Sequence, residues 1–229
     1  MKSFLITFSL FLFSLTLVSS LGKIPKIDIY IESLCPDCTG FISSSFADFY
    51  NYNVPNLAEV NFIPFGNAQE KFDEATQKWL FTCQHKEDEC KGNLIETCAI
   101  NILGRVRSYE ILIYIESNIF KYNKDFDEVL EKCVYDYRQL DLIKSCVSGD
   151  WGNKYQHEMA QKTPEHKWVP WVVVDGVHDE YVENLILNDM LDYLCSLPQS
   201  KCKDDYMLRT PSNFLGMENV SKCYIKDNE

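Results

Sequence analysis

Apolar positions alternate with polar ones from Lys26 to Ser33: Ile27, Ile29 and Ile31 stand against Asp28, Tyr30 and Glu32. A period of two reads as a strand. The period changes at once. Phe41, Ile42, Phe46, Phe49 and Tyr50 recur at helical spacing between Thr39 and Tyr52, and Pro55 closes that region. Ala58 to Phe65 reads as a second strand, with Gly66-Asn67 as its exit turn. These segments predict a β-α-β unit.

The block of about 68–167 carries little strand-like alternation. Asn93 to Tyr114, Phe126 to Cys146 and Trp151 to Gln161 show helical spacing and five cysteines fall in the block, so a disulfide-braced helical insertion is expected. Strand character returns at Trp168 to Val174. Asp175-Gly176 then predicts a hairpin turn, with Val177 to Tyr181 as the returning strand. Val182 to Leu197 reads as a closing helix, and the tail of about 198–229 is polar and irregular. The order β-α-β, helical insert, β-β-α predicts an α/β chain of the thioredoxin-like fold, its first two strands parallel.

Residues 1–20 read separately, as a leader. Lys2 is a short basic region, Phe4 to Val18 is largely apolar, and Val18-Ser-Ser20 offers small residues for cleavage. This predicts a signal peptide of 1–20 and one domain over 21–229. The apolar stretch is short for a span and no second one follows, so no membrane span is expected. The formal charge of the chain is -12. Loss of the leader, whose one charged residue is Lys2, would make it -13. So acidic a chain is unsuited to nucleic acid, because phosphate contacts need clustered Lys and Arg.

All 10 cysteines follow the leader, and an even count in an exported chain implies disulfides. Cys35-Pro-Asp-Cys38 falls between the first strand and the helix. Helix N-terminal N–H groups favour a thiolate there, and the thiolate is the nucleophile. The expected chemistry is a redox dithiol, Cys35 attacking a substrate disulfide and Cys38 resolving the mixed disulfide. Pro36 suits a helix start, and the Asp37 carboxylate is expected to oppose the thiolate and bias the pair towards reduction. A zinc site needs further ligands at matched spacing, and no second C-x-x-C exists, so no metal is expected. The other eight cysteines allow 105 pairings. Short loops favour Cys133–Cys146 and Cys195–Cys202.

Val169-Pro170 opens the later strand, where a cis proline would leave backbone free to pair with an extended substrate. Both are expected substrate-binding residues. Asn219-Val-Ser221 is a glycosylation sequon.

Cys83, Gln84, His85, Glu89, Cys90, Asn93 and Cys98 form the pattern C-Q-H-x-x-x-E-C-x-x-N-x-x-x-x-C. This resembles the signature of the gamma-interferon-inducible lysosomal thiol reductases. Gly66-Asn-Ala-Gln-Glu70, Val169-Pro-Trp-Val172 and the placement of the C-x-x-C also look like family segments, and the likeness runs from about Ile27 to Cys223. Lys86 departs from it, since the family usually has glycine after the histidine. The resemblance implies a thiol reductase acting on disulfide-containing protein substrates at acidic pH, lysosomal, endosomal or secreted. It implies no metal and no organic cofactor, with electrons from a small thiol reductant. Two other readings stand beside it: a secretory-pathway disulfide oxidase or isomerase, and a non-enzymatic binding module whose Cys35 and Cys38 form a static bridge.

Overall fold

The computed structural model describes residues 23–52, 57–200 and 202. The leader and the sequon at Asn219 lie outside them. The predicted alternation becomes β1 (Lys26–Ile31), the middle strand of three. On one side β2 (Glu59–Pro64) runs parallel to it, Ile29 opposite Phe62. On the other β5 (Trp171–Val174) runs antiparallel, Ile29 opposite Val172. Being central, β1 is covered on both faces, which is why Tyr30, and Glu32 just past its end, are buried along with the isoleucines.

The β1-to-β2 connection is helical: α1 (Pro36–Phe41), a π-helical turn (Ile42–Phe46) and α2 (Ala47–Tyr52). Phe41, Ile42 and Phe46 pack on Ile27, Ile29 and Ile31. Against the same face lies α8 (Glu180–Ser196), through Ile186, Met190, Leu191 and Leu194. That helix departs from helical geometry at Asp189. Ser45 bridges the break, its Oγ donating to the Ile186 carbonyl (2.7 Å) and accepting the Met190 N–H (2.8 Å).

Between β2 and β5 the chain departs from expectation. A two-stranded hairpin, β3 (Gln69–Asp73) and β4 (Lys78–Thr82), precedes the helices. Its strands are short and largely exposed; β3 is polar but for Phe72, and the unbroken Trp79-Leu80-Phe81 run of β4 shows no alternation. Five helices follow: α3 (Lys86–Leu103), α4 (Arg105–Asn118), α5 (Phe126–Cys133), α6 (Tyr137–Ser148) and α7 (Asp150–Lys162). Gly104, at φ +80°, splits what reads in sequence as one helix across Asn93 to Tyr114. Asp136 splits the next by capping α6, accepting from the N–H of Arg138 at 2.7 Å. These helices enclose a second apolar core of Ile95, Ile111, Ile115, Phe126, Leu130 and Ile143.

The expected returning strand after Asp175-Gly176 is absent. Val177 makes one bridge, to Val174, and Asp179 already caps α8 through the N–H groups of Tyr181 and Val182. A helix cap so close to the turn leaves no room for a strand. The bridges run Cys83–Cys90, Cys98–Cys146 and Cys195–Cys202, and Cys133 is also disulfide-bonded. The expected Cys133–Cys146 pair is therefore wrong, because Cys146 joins α6 to Cys98 on α3. Sequence distance favoured the nearer partner; helix packing placed the farther one.

Candidate active site

Cys35 and Cys38 are both free thiols. The chain leaves β1 through Glu32 and Ser33, and Leu34 then takes φ +68°. That conformation is costly for a branched side chain. Burial of Leu34 in the insertion core holds it there. The turn makes Cys35 the N-cap of α1, its Sγ accepting the Cys38 N–H at 3.4 Å. Pro36 occupies the first helical position, as expected of a residue without an N–H.

The two sulfurs differ. Cys35 keeps 7 % of its surface and Cys38 none. The Cys35 thiol is held below its ordinary range, first by a hydrogen bond from the Cys38 thiol and then by the N–H groups of Cys38 and Asp37. Burial and the Glu32 carboxylate oppose this. Asp37 thus assists through its backbone, and the opposing carboxylate is Glu32 rather than the expected Asp37. Cys38 is pushed well above the ordinary thiol range, chiefly by burial, then by its bond to Cys35. One thiol is primed and the other is kept protonated.

Val169-Pro170 lies beside the dithiol with a cis peptide bond. The Cys35 Sγ is 3.8 Å from the Val169 carbonyl oxygen. A groove of about 340 Å³ runs alongside, between Pro36, Asp37 and Gly40 on the helix and Trp168, Val169 and Pro170 on the loop. Cys35, Cys38, Val169 and Pro170 are therefore brought together. Glu183 of α8 was not legible in the sequence. It is 3 % exposed and fastens the proline loop: Trp168 Nε1–H donates to it at 2.7 Å and the Val172 N–H at 2.8 Å.

The Cys83-to-Cys98 pattern lies behind the dithiol. Asn93 Oδ1 accepts the Ser33 N–H at 2.7 Å, fixing the loop that carries Cys35. Glu89 Oε2 accepts from the His85 N–H at 2.6 Å and pairs with its ring Nδ1 at 2.7 Å. Glu32 Oε2 accepts two bonds from Asn67, and Asn67 Nδ2 also reaches Gln84. Gly66 makes this approach possible: at φ +54°, a Cβ there would sit 2.5 Å from Glu32 Oε2. Lys86 takes φ +67°, the left-handed region where the resembled family has its glycine.

Glu32, His85 and Glu89 bring donor atoms within 4.8 Å of one another, close enough to share a metal ion. Their hydrogen bonds give the same atoms another use. Glu89 holds His85 at the start of α3, and Glu32 holds Asn67.

A family model described as gamma interferon inducible lysosomal thiol reductase (GILT) matches residues 26–137. A goldfish (Carassius auratus) gamma-interferon-inducible lysosomal thiol reductase is 34% identical over 178 residues, covering 75% of this chain and 67% of its own. The chain belongs to the gamma-interferon-inducible lysosomal thiol reductase family. It is a thiol-disulfide oxidoreductase. Other GILT relatives include an Arabidopsis thaliana gamma-interferon-responsive lysosomal thiol protein, 31% identical over 79% of this chain and 73% of its own. The mouse (Mus musculus) reductase is 29% identical over 79% and 70%. Among the described residues no helix is long and apolar enough to cross a membrane.

Proposed function

We propose that this GILT-family chain reduces protein disulfides through Cys35 and Cys38. Its frame is read as a thioredoxin-like sheet carrying the insertion. The observation that carries the reading is the asymmetry of the two free thiols. Cys35 caps a helix, has its thiolate stabilised and sits between Pro36 and Val169, which line the groove, whereas Cys38 is fully buried one turn away.

The reaction follows from that asymmetry. An extended substrate lies along the groove, its backbone against Val169-Pro170. The Cys35 thiolate attacks one substrate sulfur, forming a mixed disulfide and releasing the other sulfur as a thiolate that takes up a proton. Cys38 loses its proton and attacks Cys35 Sγ. The second substrate thiol departs and a Cys35–Cys38 disulfide remains. Two electrons have passed to the substrate, and a small thiol returns them in two exchange steps. No metal and no organic cofactor is needed in this sequence.

Activity in an acidic lysosomal or secreted setting accords with the lowered Cys35 and with the printed names of the goldfish and mouse relatives. An ordinary thiol, with pKa about 8.5, is scarcely ionised at acidic pH. The leader of 1–20 would deliver the chain to that route, and Asn219 would carry a glycan.

The test is insulin reduction at pH ~5 and ~7, with a small thiol as electron donor. Turnover by the wild type, its loss in Cys35→Ser, and a trapped substrate adduct in Cys38→Ser are expected. Wild-type protein without turnover, or Cys35→Ser with full turnover, defeats the reading.

A further inference from the structure

Resolution of the mixed disulfide poses a proton problem. Cys38 has no exposed surface, and its thiol is held well above the ordinary range, yet it must become a thiolate before it can attack. Burial keeps water from the Cys38 sulfur, so a proton acceptor within the protein would serve this step.

Glu116 is near enough for its charge to act on Cys38, and Glu96 pairs with Glu116. Glu96 on α3 is 0 % exposed and Glu116 on α4 is 1 % exposed. Their carboxyls act on each other, and burial raises both above the usual carboxylate range. Glu96 Oε1 and Oε2 and Glu116 Oε1 are buried and make no hydrogen bond of ordinary geometry, so a hydrogen held between the two carboxyls is what can satisfy them. The other groups acting on the pair are Ser33, from the loop after β1, on Glu96 and Thr39, from α1, on Glu116. None of these is cationic. Two like charges in contact at such a site cannot both stay ionised, so the pair holds one proton and keeps room for another.

The pair is joined to the dithiol through α1. Thr39, the residue after Cys38, donates its hydroxyl hydrogen to Glu116 Oε2 at 2.5 Å. The Glu116 charge in turn bears on the Cys38 thiol.

We propose that the Glu96–Glu116 carboxyl pair accepts the Cys38 proton during resolution and returns it when a small thiol reduces the enzyme. This rests on the dithiol mechanism above. In the forward step the Cys38 S–H bond breaks and its proton goes to the pair, now doubly protonated. The Cys38 electron pair forms the bond to Cys35 Sγ, and the Cys35–substrate bond breaks, its electrons leaving with the substrate thiolate. In the return step the small thiol's thiolate attacks Cys35 of the Cys35–Cys38 disulfide, Cys38 leaves as a thiolate, and the pair returns the proton. A second molecule of the small thiol then frees Cys35. Burial near a thiol of raised affinity suits the task, because an acceptor works best when its own proton affinity is raised towards that of the donor.

The step can be isolated by loading Cys35 with 5-thio-2-nitrobenzoate as a mixed disulfide and following release of the coloured thiol by stopped flow. In the wild type, release should accelerate with pH through a limb set by the carboxyl pair, above the ordinary carboxylate range. Glu116→Gln and Glu96→Gln should load Cys35 normally, release about 10²-fold more slowly, and lose that limb. Glu116→Asp should restore part of the rate. Gln variants that release at the wild-type rate with the limb intact overturn the proposal. Failure of Cys35 to load in the wild type instead defeats the dithiol reading itself. Should the variants not fold, infrared difference spectra of reduced against oxidised wild-type protein decide the matter. A change in a protonated carboxyl band supports the proposal, and no change rejects it.

Discussion

Glu183 Oε1 accepts the indole N–H of Trp168 at 2.7 Å, and the second carboxylate oxygen takes the Val172 N–H on the far side of the cis proline. One buried side chain of α8 therefore spans the loop that lines the groove. His178 adds to this clamp, stacking on Trp171 at 3.4 Å with its Nδ1 bonded to the Val172 carbonyl. Removing the carboxylate leaves the buried Val172 N–H without a partner, at about 1–3 kcal/mol, while the part-buried Trp168 N–H can turn to water. Glu183→Ala should lower stability by about 1–3 kcal/mol in chemical denaturation. It should also raise the KM for a protein disulfide more than it changes the alkylation rate of Cys35. A proportional loss of both would show that Glu183 supports the whole site rather than the loop.

Lys86 occupies a backbone conformation suited to glycine, φ +67°, at the first residue of α3. A residue with a Cβ costs roughly 1–2 kcal/mol in that region, partly offset by the greater freedom glycine loses on folding. Lys86→Gly is expected to stabilise the chain by about 0.5–1 kcal/mol. The check is a higher denaturant midpoint at an unchanged slope. No shift would mean that the lysine side chain makes up the difference.

The dithiol was legible because its signal is local: two cysteines at a strand-to-helix change of period, where Cys35 becomes the N-cap. Val169-Pro170 was legible from its place before the last strand. Long-range pairing was not. Nothing in the spacing of Cys146 distinguishes Cys98 from Cys133, since the choice is made by how α3 and α6 pack. Glu183, Glu96 and Glu116 were missed because acids within helical patterns read as solvated positions, and only the folded chain turns them inward. The β3–β4 hairpin was hidden by the polar run of β3 and the unalternating Trp79-Leu80-Phe81 of β4, and the strand expected after Gly176 lost to the Asp179 helix cap.

The pH behaviour of Cys35 separates backbone from side-chain stabilisation. The largest influence lowering it is the hydrogen bond from the Cys38 thiol, ahead of the helix N–H groups. Alkylation of the reduced protein by iodoacetamide should therefore titrate below the ordinary thiol value of about 8.5. Cys38→Ala should move the midpoint up without abolishing the depression, because the N–H groups of residues 37 and 38 remain. The sign for stability follows. A group depressed in the folded state stabilises the reduced protein above its unfolded value, and that contribution is lost as pH falls through the folded value. Lowering the pH through that range should cost wild type more stability than Cys35→Ala. Equal losses, or a Cys38→Ala midpoint that does not move, would assign the effect elsewhere.

The disulfides should rank by the loop each closes. Cys98–Cys146 spans 48 residues of sequence, Cys83–Cys90 only 7. Chain-entropy reasoning assigns the longer loop about 4 kcal/mol and the shorter about 2.4 kcal/mol. The longer bridge also joins α3 to α6 across the insertion core, with both sulfurs buried, so its removal leaves unfilled volume as well. Cys98→Ala/Cys146→Ala should therefore lower the unfolding free energy by at least about 1.5 kcal/mol more than Cys83→Ala/Cys90→Ala. The shorter bridge closes the turn around His85 and Lys86, so its loss should fall more on the Cys35 loop than on the core. Amide exchange would separate the two: core helices should lose protection in the first variant, residues 84–89 in the second. A shorter-loop variant that unfolds as readily as the longer-loop one would show that the Cys83–Cys90 turn, and not the α3–α6 contact, holds the insertion against the sheet.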